Sequence, residues 1–241
     1  MRKRRPIVVS FSGIDGAGKS TQISALDSYL RSRGLRTRSL TFWDDVVAFA
    51  HFREFMSERA FGGDKGVGSP ERPIERRDKN VLSWYALTAR LFLYAADAVR
   101  LRFLAAGMSL GTADVVIFDR FIYDEIANLP IDRWLIRVYA KLVLAVSPKA
   151  DLACVIDADA EAAFQRKPEY PLEFLRRNRE AYLRLRELVP DMAIIPPGSI
   201  QETTAKLLSI ASSKLAGIPS SRTEENLQSG QAEAETRASA I

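Results

Sequence analysis

Two residues stand out by their scarcity: the chain has 241 residues but one cysteine, Cys154, and one histidine, His51. A disulfide framework is therefore excluded, and so is a zinc site built from Cys and His. Cys154 lies in the apolar run "LACVID" and reads as a small buried hydrophobe. His51 reads as a loop or surface residue rather than a base. Long hydrophobic runs are missing too, since no stretch approaches the roughly 18 apolar residues that a membrane span needs. Four basic residues open "MRKRRPIVVSFSG", but the apolar stretch after them is too short for a secretory leader and runs directly into a glycine-rich turn. The expectation is a cytoplasmic protein with no membrane partner. Charge of neither sign dominates: 35 Lys and Arg against 30 Asp and Glu leave +5. With no basic stripe interleaved with aromatics, nucleic acid is not an expected partner. Hydrophobic residues at 47% and charged residues at 27% are ordinary for a globular chain able to bury its own core.

Strand and helix patterns alternate along the chain. Residues 7–12 read as a short buried strand, and 19–33 as a helix with Ile23, Leu26 and Leu30 at helical spacing and Gly34 as its stop. Residues 37–43 read as a second strand. "AFGGDKGVGSPERPIERRDKN" is a long loop rich in Gly, Pro and charge. A long helix is expected over 81–106, a strand over 114–120, an apolar helix over 131–146, a strand over 151–157, a helix over 171–188, a strand over 192–196 and a closing helix over 200–217. Such alternation implies βαβ units and a mostly parallel sheet. From about residue 218 the composition shifts to Ser, Glu, Gln and Ala, so 218–241 is expected to be a disordered tail. No internal repeat is present.

Chemistry enters at "IVVSFSGIDGAGKSTQ". Gly13-Ile14-Asp15-Gly16-Ala17-Gly18-Lys19-Ser20 fits G-x-x-x-x-G-K-[ST]. The glycines let successive backbone N–H groups face phosphate oxygens, Lys19 adds a point charge, and the Ser20 hydroxyl ligates Mg²⁺. The helix that follows directs its N-terminal dipole at the same anion. A strand before and an amphipathic helix after supply the context that the pattern requires, so Gly13, Asp15, Gly16, Ala17, Gly18, Lys19, Ser20 and Thr21 are the candidate cradle for the phosphates of ATP. A second element, "VVIFDR", is an apolar strand ending in Asp119-Arg120. In a parallel sheet, a carboxylate at that end belongs beside the phosphates and their Mg²⁺.

Together these segments resemble the thymidylate kinase family of P-loop nucleoside monophosphate kinases, across about residues 6–211. "SGIDGAGKSTQ" resembles the family's "EGxDGAGKTTQ", including Gln22. "FDRFIYDEIA" resembles "DRYxxSxxAY", with Phe121 where Tyr is usual. "RLFLYAADAV" resembles "LLFAADR", and "PKADLACVIDADAEAAFQRK" resembles "PDLTxxLDVxxExAxxR". The resemblance implies a three-layer α/β P-loop fold with a parallel sheet of about five strands. It implies one kinase domain over 1–217 with a short lid near 165–173, and transfer of a phosphoryl group from ATP to a nucleoside monophosphate, dTMP before others. It further implies that Asp15 hydrogen-bonds the acceptor's sugar hydroxyl, that Arg120 contacts a phosphate, and that Asp119 organises the Mg²⁺ waters. Tyr94 would stack on the acceptor base and Arg166 would be the lid arginine, ahead of Arg176 and Arg177. A homodimer through the long helices is also implied.

Two departures bear on the acceptor. Ala98 follows Asp97 where the family carries an arginine that reads the base edge; Arg100 and Arg90 are candidate substitutes. After the second strand, "TFWDDVVAFAHFREF" places Asp44 and Asp45 where the family has a phosphate-binding arginine. Two carboxylates there would repel a phosphate monoester unless Mg²⁺ or Arg53 intervened. One facing inward would instead suit a general base toward a hydroxyl. A nucleoside or other small-molecule acceptor, or a poorly active ATP-binding relative, are therefore the alternatives.

Overall fold

The computed structural model describes residues 5–47, 84–108 and 112–215. The expected long loop, His51, Arg53, the start of the long helix and the tail 218–241 lie outside the described residues. Among the described residues five strands form one sheet: β1 (Ile7–Ser12), β2 (Thr37–Thr41), β3 (Val115–Asp119), β4 (Leu152–Ile156) and β5 (Ala193–Ile195). All neighbours run parallel, in the order β2-β3-β1-β4-β5. The helices are α1 (Lys19–Ser32), α2 (Trp84–Met108), α3 (Ile122–Ala127), α4 (Trp134–Val146), α5 (Ala160–Arg166), α6 (Leu172–Arg184) and α7 (Ile200–Leu215). The expected α/β architecture is what the chain adopts.

The inner strands are mostly apolar because both faces are covered by other elements, though β1 also buries Ser10 and Ser12. Val9, Phe11, Val115, Ile117, Phe118, Leu152, Cys154 and Ile156 are all buried. Helices dock through the stripes that their spacing sets: Leu26 and Leu30 of α1 are buried, and Leu207 and Ala211 of α7 likewise. Gln22 Oε1 accepts from Thr204 Oγ1 at 2.9 Å, tying α1 to α7. The Gln22 that extends the phosphate-loop pattern thus has a structural task of its own.

Three expectations are corrected. The second strand stops at Thr41 rather than Trp43, because Phe42–Val46 turns into one wide helical turn closed by Val47 N–H to Phe42 O at 3.0 Å. Two short helices, α3 and α5, follow β3 and β4 where no periodic stripe announces them. At six and seven residues they are too short to repeat an apolar pattern. The expected helix over 171–188 is α6 followed by a tighter turn at Leu185–Glu187.

This topology positions the site. β1 connects over β3 to β2, whereas β3 connects over β1 to β4 on the other side, and a crevice opens at such a reversal beyond the strands' carboxyl ends. Register aligns Phe11 of β1 with Asp119 of β3, and Asp119 in turn with Thr41 of β2. The glycine-rich turn, Asp119-Arg120 and the turn after β2 are thereby brought to one edge of the sheet.

Candidate active site

The turn after β1 is shaped by close backbone approach. At Gly13, φ is 137°, and a Cβ would lie 2.5 Å from Ile156 O of β4. At Gly16, φ is 81°, and a Cβ would lie 2.5 Å from Ala163 O of α5. Neither position tolerates a side chain. The loop is thus wedged between the end of β4 and α5, and it delivers the chain into α1 at Gly18.

Lys19, the first residue of α1, is buried. Its Nζ donates to Gly13 O at 3.1 Å and Ile14 O at 2.9 Å, and Asp15 Oδ1 lies 3.9 Å away. Burial, with the Arg120 cation nearby, lowers the ammonium from its ordinary 10.5 to about 8, although Asp15, Asp124 and Asp119 pull the other way. A cation held over loop carbonyls and partly starved of solvent is poised to accept an anion in their place. Ser20 is exposed beside it at the helix N-terminus.

Asp119 ends β3, and its Oδ1 is buried with no hydrogen-bond partner among the described residues. A lone carboxylate oxygen beside a phosphate cradle suits Mg²⁺, which binds through one or two carboxylates plus phosphate and water. Among the described residues no cluster of three or more His, Cys, Asp or Glu forms a self-sufficient metal cage.

Arg120 adopts a left-handed backbone, φ 69°, unusual for a residue with a side chain, and its N–H donates to Phe11 O at 2.9 Å. Its guanidinium ion-pairs with Asp15 of the loop and with Asp124 of α3, the latter at 3.0 Å. It also donates to Gly13 O at 3.2 Å and Tyr182 Oη at 2.7 Å. Burial lowers its pKa, but Tyr182, Asp124 and Asp15 outweigh that and hold it well above the ordinary value. The sequence reading brought Asp15, Lys19, Asp119 and Arg120 to one site; it missed Asp124 and Tyr182. Asp124 sits four residues after Arg120, one turn onward in α3, which is a local signal. Tyr182 lies 62 positions away, and nothing local marks it.

Beyond β4, Arg179 of α6 forms a two-pronged pair with Asp157, at 2.6 and 2.9 Å, another contact that the sequence did not announce. The connector between α5 and α6 falls within the span 165–173 expected to be a lid. Of its candidate arginines, Arg176 is bound to Glu161, and Arg177 lies 3.8 Å from Glu173. Arg166 forms no ion pair among the described residues; its Nε donates only to Ala162 O of its own helix, at 3.0 Å, and the side chain is exposed.

The acceptor-side candidates are less gathered. Tyr94 and Ala98 are both buried on α2. Arg100, a candidate substitute for the missing arginine, instead donates to Val47 O at 3.0 Å and lines a groove of about 850 Å³ with Arg36, Arg38, Asp45 and Phe103. Asp45 folds back to accept Thr41 N–H at 2.7 Å, and Asp44 is exposed. Asp97 and Glu125, on α2 and α3, are fully buried. Burial, reinforced by these two acids, pushes Tyr139 up to about 12.

Known proteins resemble this chain over most of its length. A thymidylate kinase of Caldanaerobacter subterraneus subsp. tengcongensis is 30% identical over 210 residues, covering 82% of this chain and 89% of its own. A probable thymidylate kinase of Pyrococcus horikoshii is 25% identical over 231 residues, covering 89% and 100%. Among solved structures, a thymidylate kinase from Ehrlichia chaffeensis shares the fold with a TM-score of 0.54 at 20% identity, covering 86% of this chain and all of that one. No protein-family model matches the chain.

Proposed function

The chain belongs to the thymidylate kinase family, and from that premise we propose that it transfers the γ-phosphoryl group of ATP to the phosphate of a nucleoside monophosphate, converting dTMP to dTDP. The observation that carries this reading is the convergence of Lys19, Asp15, Asp119 and Arg120 on the mouth of the glycine-rich loop.

In this reading the loop from Gly13 to Thr21, with Asp15, Gly16, Ala17 and Gly18 between, cradles the phosphates of ATP. Lys19 leaves the Gly13 and Ile14 carbonyls for a phosphate oxygen. Ser20 and Asp119 would hold Mg²⁺, which would neutralise phosphate charge. An oxygen of the acceptor phosphate attacks the γ-phosphorus as its bond to the bridging oxygen breaks, and ADP departs. Such a loose transition state asks for alignment and charge rather than covalent help. Arg120 aligns the acceptor phosphate, Asp15 takes the sugar hydroxyl, Tyr94 stacks on the base, and Arg166 closes over the transferring group. Arg166 is favoured over Arg176 and Arg177 because those two are engaged by Glu161 and Glu173.

Asp44 supports one competing acceptor. In that reading Asp44, exposed just after β2, would take a proton from a nucleoside hydroxyl, whereas Asp45 is occupied by Thr41 N–H. A coupled ADP-release assay with dTMP, dUMP, CMP, thymidine or no acceptor separates these. Turnover that depends on dTMP is expected. Turnover with thymidine alone would transfer the assignment to a nucleoside kinase, and ATP binding without acceptor-dependent turnover would make this a binding relative.

Pairing with a second copy is also part of the proposal. Phe92, Val99 and Phe103 of α2, and Trp134, Leu135, Val138 and Leu142 of α4, are exposed on helices that pack against one another. Apolar faces of that extent favour burial. Light scattering after size-exclusion chromatography is expected to give a dimer mass. No helix among the described residues is long and apolar enough to cross a membrane.

A further inference from the structure

We propose that Asp124 and Tyr182 are positioning residues for Arg120: they fix one end of its guanidinium so that the other end can pass from Asp15 to the acceptor's phosphate. The inference rests on the reading of Arg120 as a phosphate contact and extends it to residues that the family resemblance does not assign.

The two ends of Arg120 are held differently. Nη1 donates to Asp124 Oδ1 at 3.0 Å, to Tyr182 Oη at 2.7 Å and to Gly13 O at 3.2 Å. Nη2 is held by Asp15. The Nη1 end is locked, because Asp124 is only 1% exposed and every contact it makes is internal. Its Oδ1 also accepts from Tyr182 Oη at 2.7 Å, while its Oδ2 accepts from Ser12 Oγ at 2.7 Å and Phe121 N–H at 2.9 Å. Releasing Arg120 there would strand a buried carboxylate, a costly state. Asp15 is 27% exposed and can pass to water or a ligand when Nη2 lets go. Exchange is thus confined to the Nη2 end. An acceptor that offers a sugar hydroxyl to Asp15 and phosphate oxygens to Arg120 satisfies both partners of the pair that it breaks.

The motif that "FDRFIYDEIA" resembles carries serine where this chain has Asp124, so the second carboxylate on Arg120 is a property of this chain. Tyr182 adds a mechanical consequence. It belongs to α6, the helix that follows the lid connector, so the hydroxyl couples the position of α6 to the guanidinium.

The test compares wild type with Tyr182→Phe, Asp124→Asn and the double variant. Readouts are steady-state kinetics with ATP and dTMP, melting temperature, and the ¹H–¹⁵N NMR signal of Arg120 Nε–H, assigned by its loss in Arg120→Lys. Tyr182→Phe is expected to lower kcat/KM for the acceptor about tenfold, with KM for ATP and melting temperature little changed. Asp124→Asn should lose more, and the double variant no more than Asp124→Asn alone, since both act through one group. Wild-type kinetics in Tyr182→Phe would overturn the proposal, as would losses that multiply or that strike ATP and acceptor equally. If wild type itself shows no acceptor-dependent turnover, the kinase reading fails, and the NMR signal decides the clamp separately. A sharp, slowly exchanging Nε–H in wild type that broadens in Tyr182→Phe upholds it; identical signals in the two overturn it.

Discussion

The donor side and the acceptor side of this site are built in different ways. On the donor side, backbone does most of the work: a turn whose shape is set by Gly13 and Gly16 against Ile156 and Ala163, followed at once by Lys19 and a helix N-terminus. The phosphate-facing loop, Lys19 and the helix start lie within one short stretch of chain. The proposed acceptor side draws on side chains from α2, the turn after β3, α3 and α6, elements far apart in sequence. A backbone cradle is generic for polyphosphate, whereas a side-chain enclosure can be altered one residue at a time. That difference explains how the chain keeps the family's loop while departing from it at Ala98, Asp44 and Asp124.

The largest expected effect is on the donor side. Lys19→Ala should lower kcat by about 10³-fold with every acceptor, because it deletes the charge that meets the transferring phosphate. Retained activity in a single-turnover assay would break the comparison at its root. Next comes Arg166→Ala, predicted to cost about 10²-fold in kcat with KM for ATP nearly unchanged, since a lid charge acts on the transition state. A loss confined to KM would remove Arg166 from that role. Gly13→Ala sharpens the contrast as a stability effect. The added Cβ meets Ile156 O at 2.5 Å in a backbone that resists side chains, so unfolding free energy in urea should fall by about 2 kcal/mol or more.

The pH dependence carries a smaller, signed prediction. Lys19 keeps its charge below about 8 and loses it above, well before its ordinary 10.5. The kcat/KM for ATP, which reports the free protein, should therefore decline as pH rises through about 8. Bound phosphate favours the ammonium, so the corresponding limb in kcat should lie at higher pH. The same depression makes the charged Lys19 unfavourable to the fold below about 8, a cost relieved between about 8 and 10.5. The smallest effect belongs to Cys154, whose thiol burial pushes up to about 12. It should resist thiol reagents in the native state and react only on unfolding.

How much was legible in the sequence follows the same division. The order of strands and main helices, the loop, Asp119 and Arg120 were readable because each depends on periodicity or on neighbours a few residues away. The turn at Phe42–Val46 was not, because an apolar-aromatic run after a strand reads equally as more strand. The short α3 and α5 offered too few residues for a pattern. Asp124 was passed over because a carboxylate one turn after an arginine is an ordinary helix pair. Only the fold shows it closed over by Ser12 and Tyr182. Arg100 looked available by spacing, but a helix fixes which way a side chain leaves, and here it leaves toward Val47.

The central claim is that phosphate moves from ATP to the phosphate of dTMP at the Gly13–Thr21 loop. Phosphorus NMR of wild type with ATP, Mg²⁺ and dTMP tests it most directly. The γ-phosphoryl signal of ATP is expected to be replaced by the β-phosphoryl signal of dTDP, and Lys19→Ala to leave it in place. A spectrum in which ATP persists beside unchanged dTMP, or in which thymidine rather than dTMP becomes phosphorylated, would contradict it.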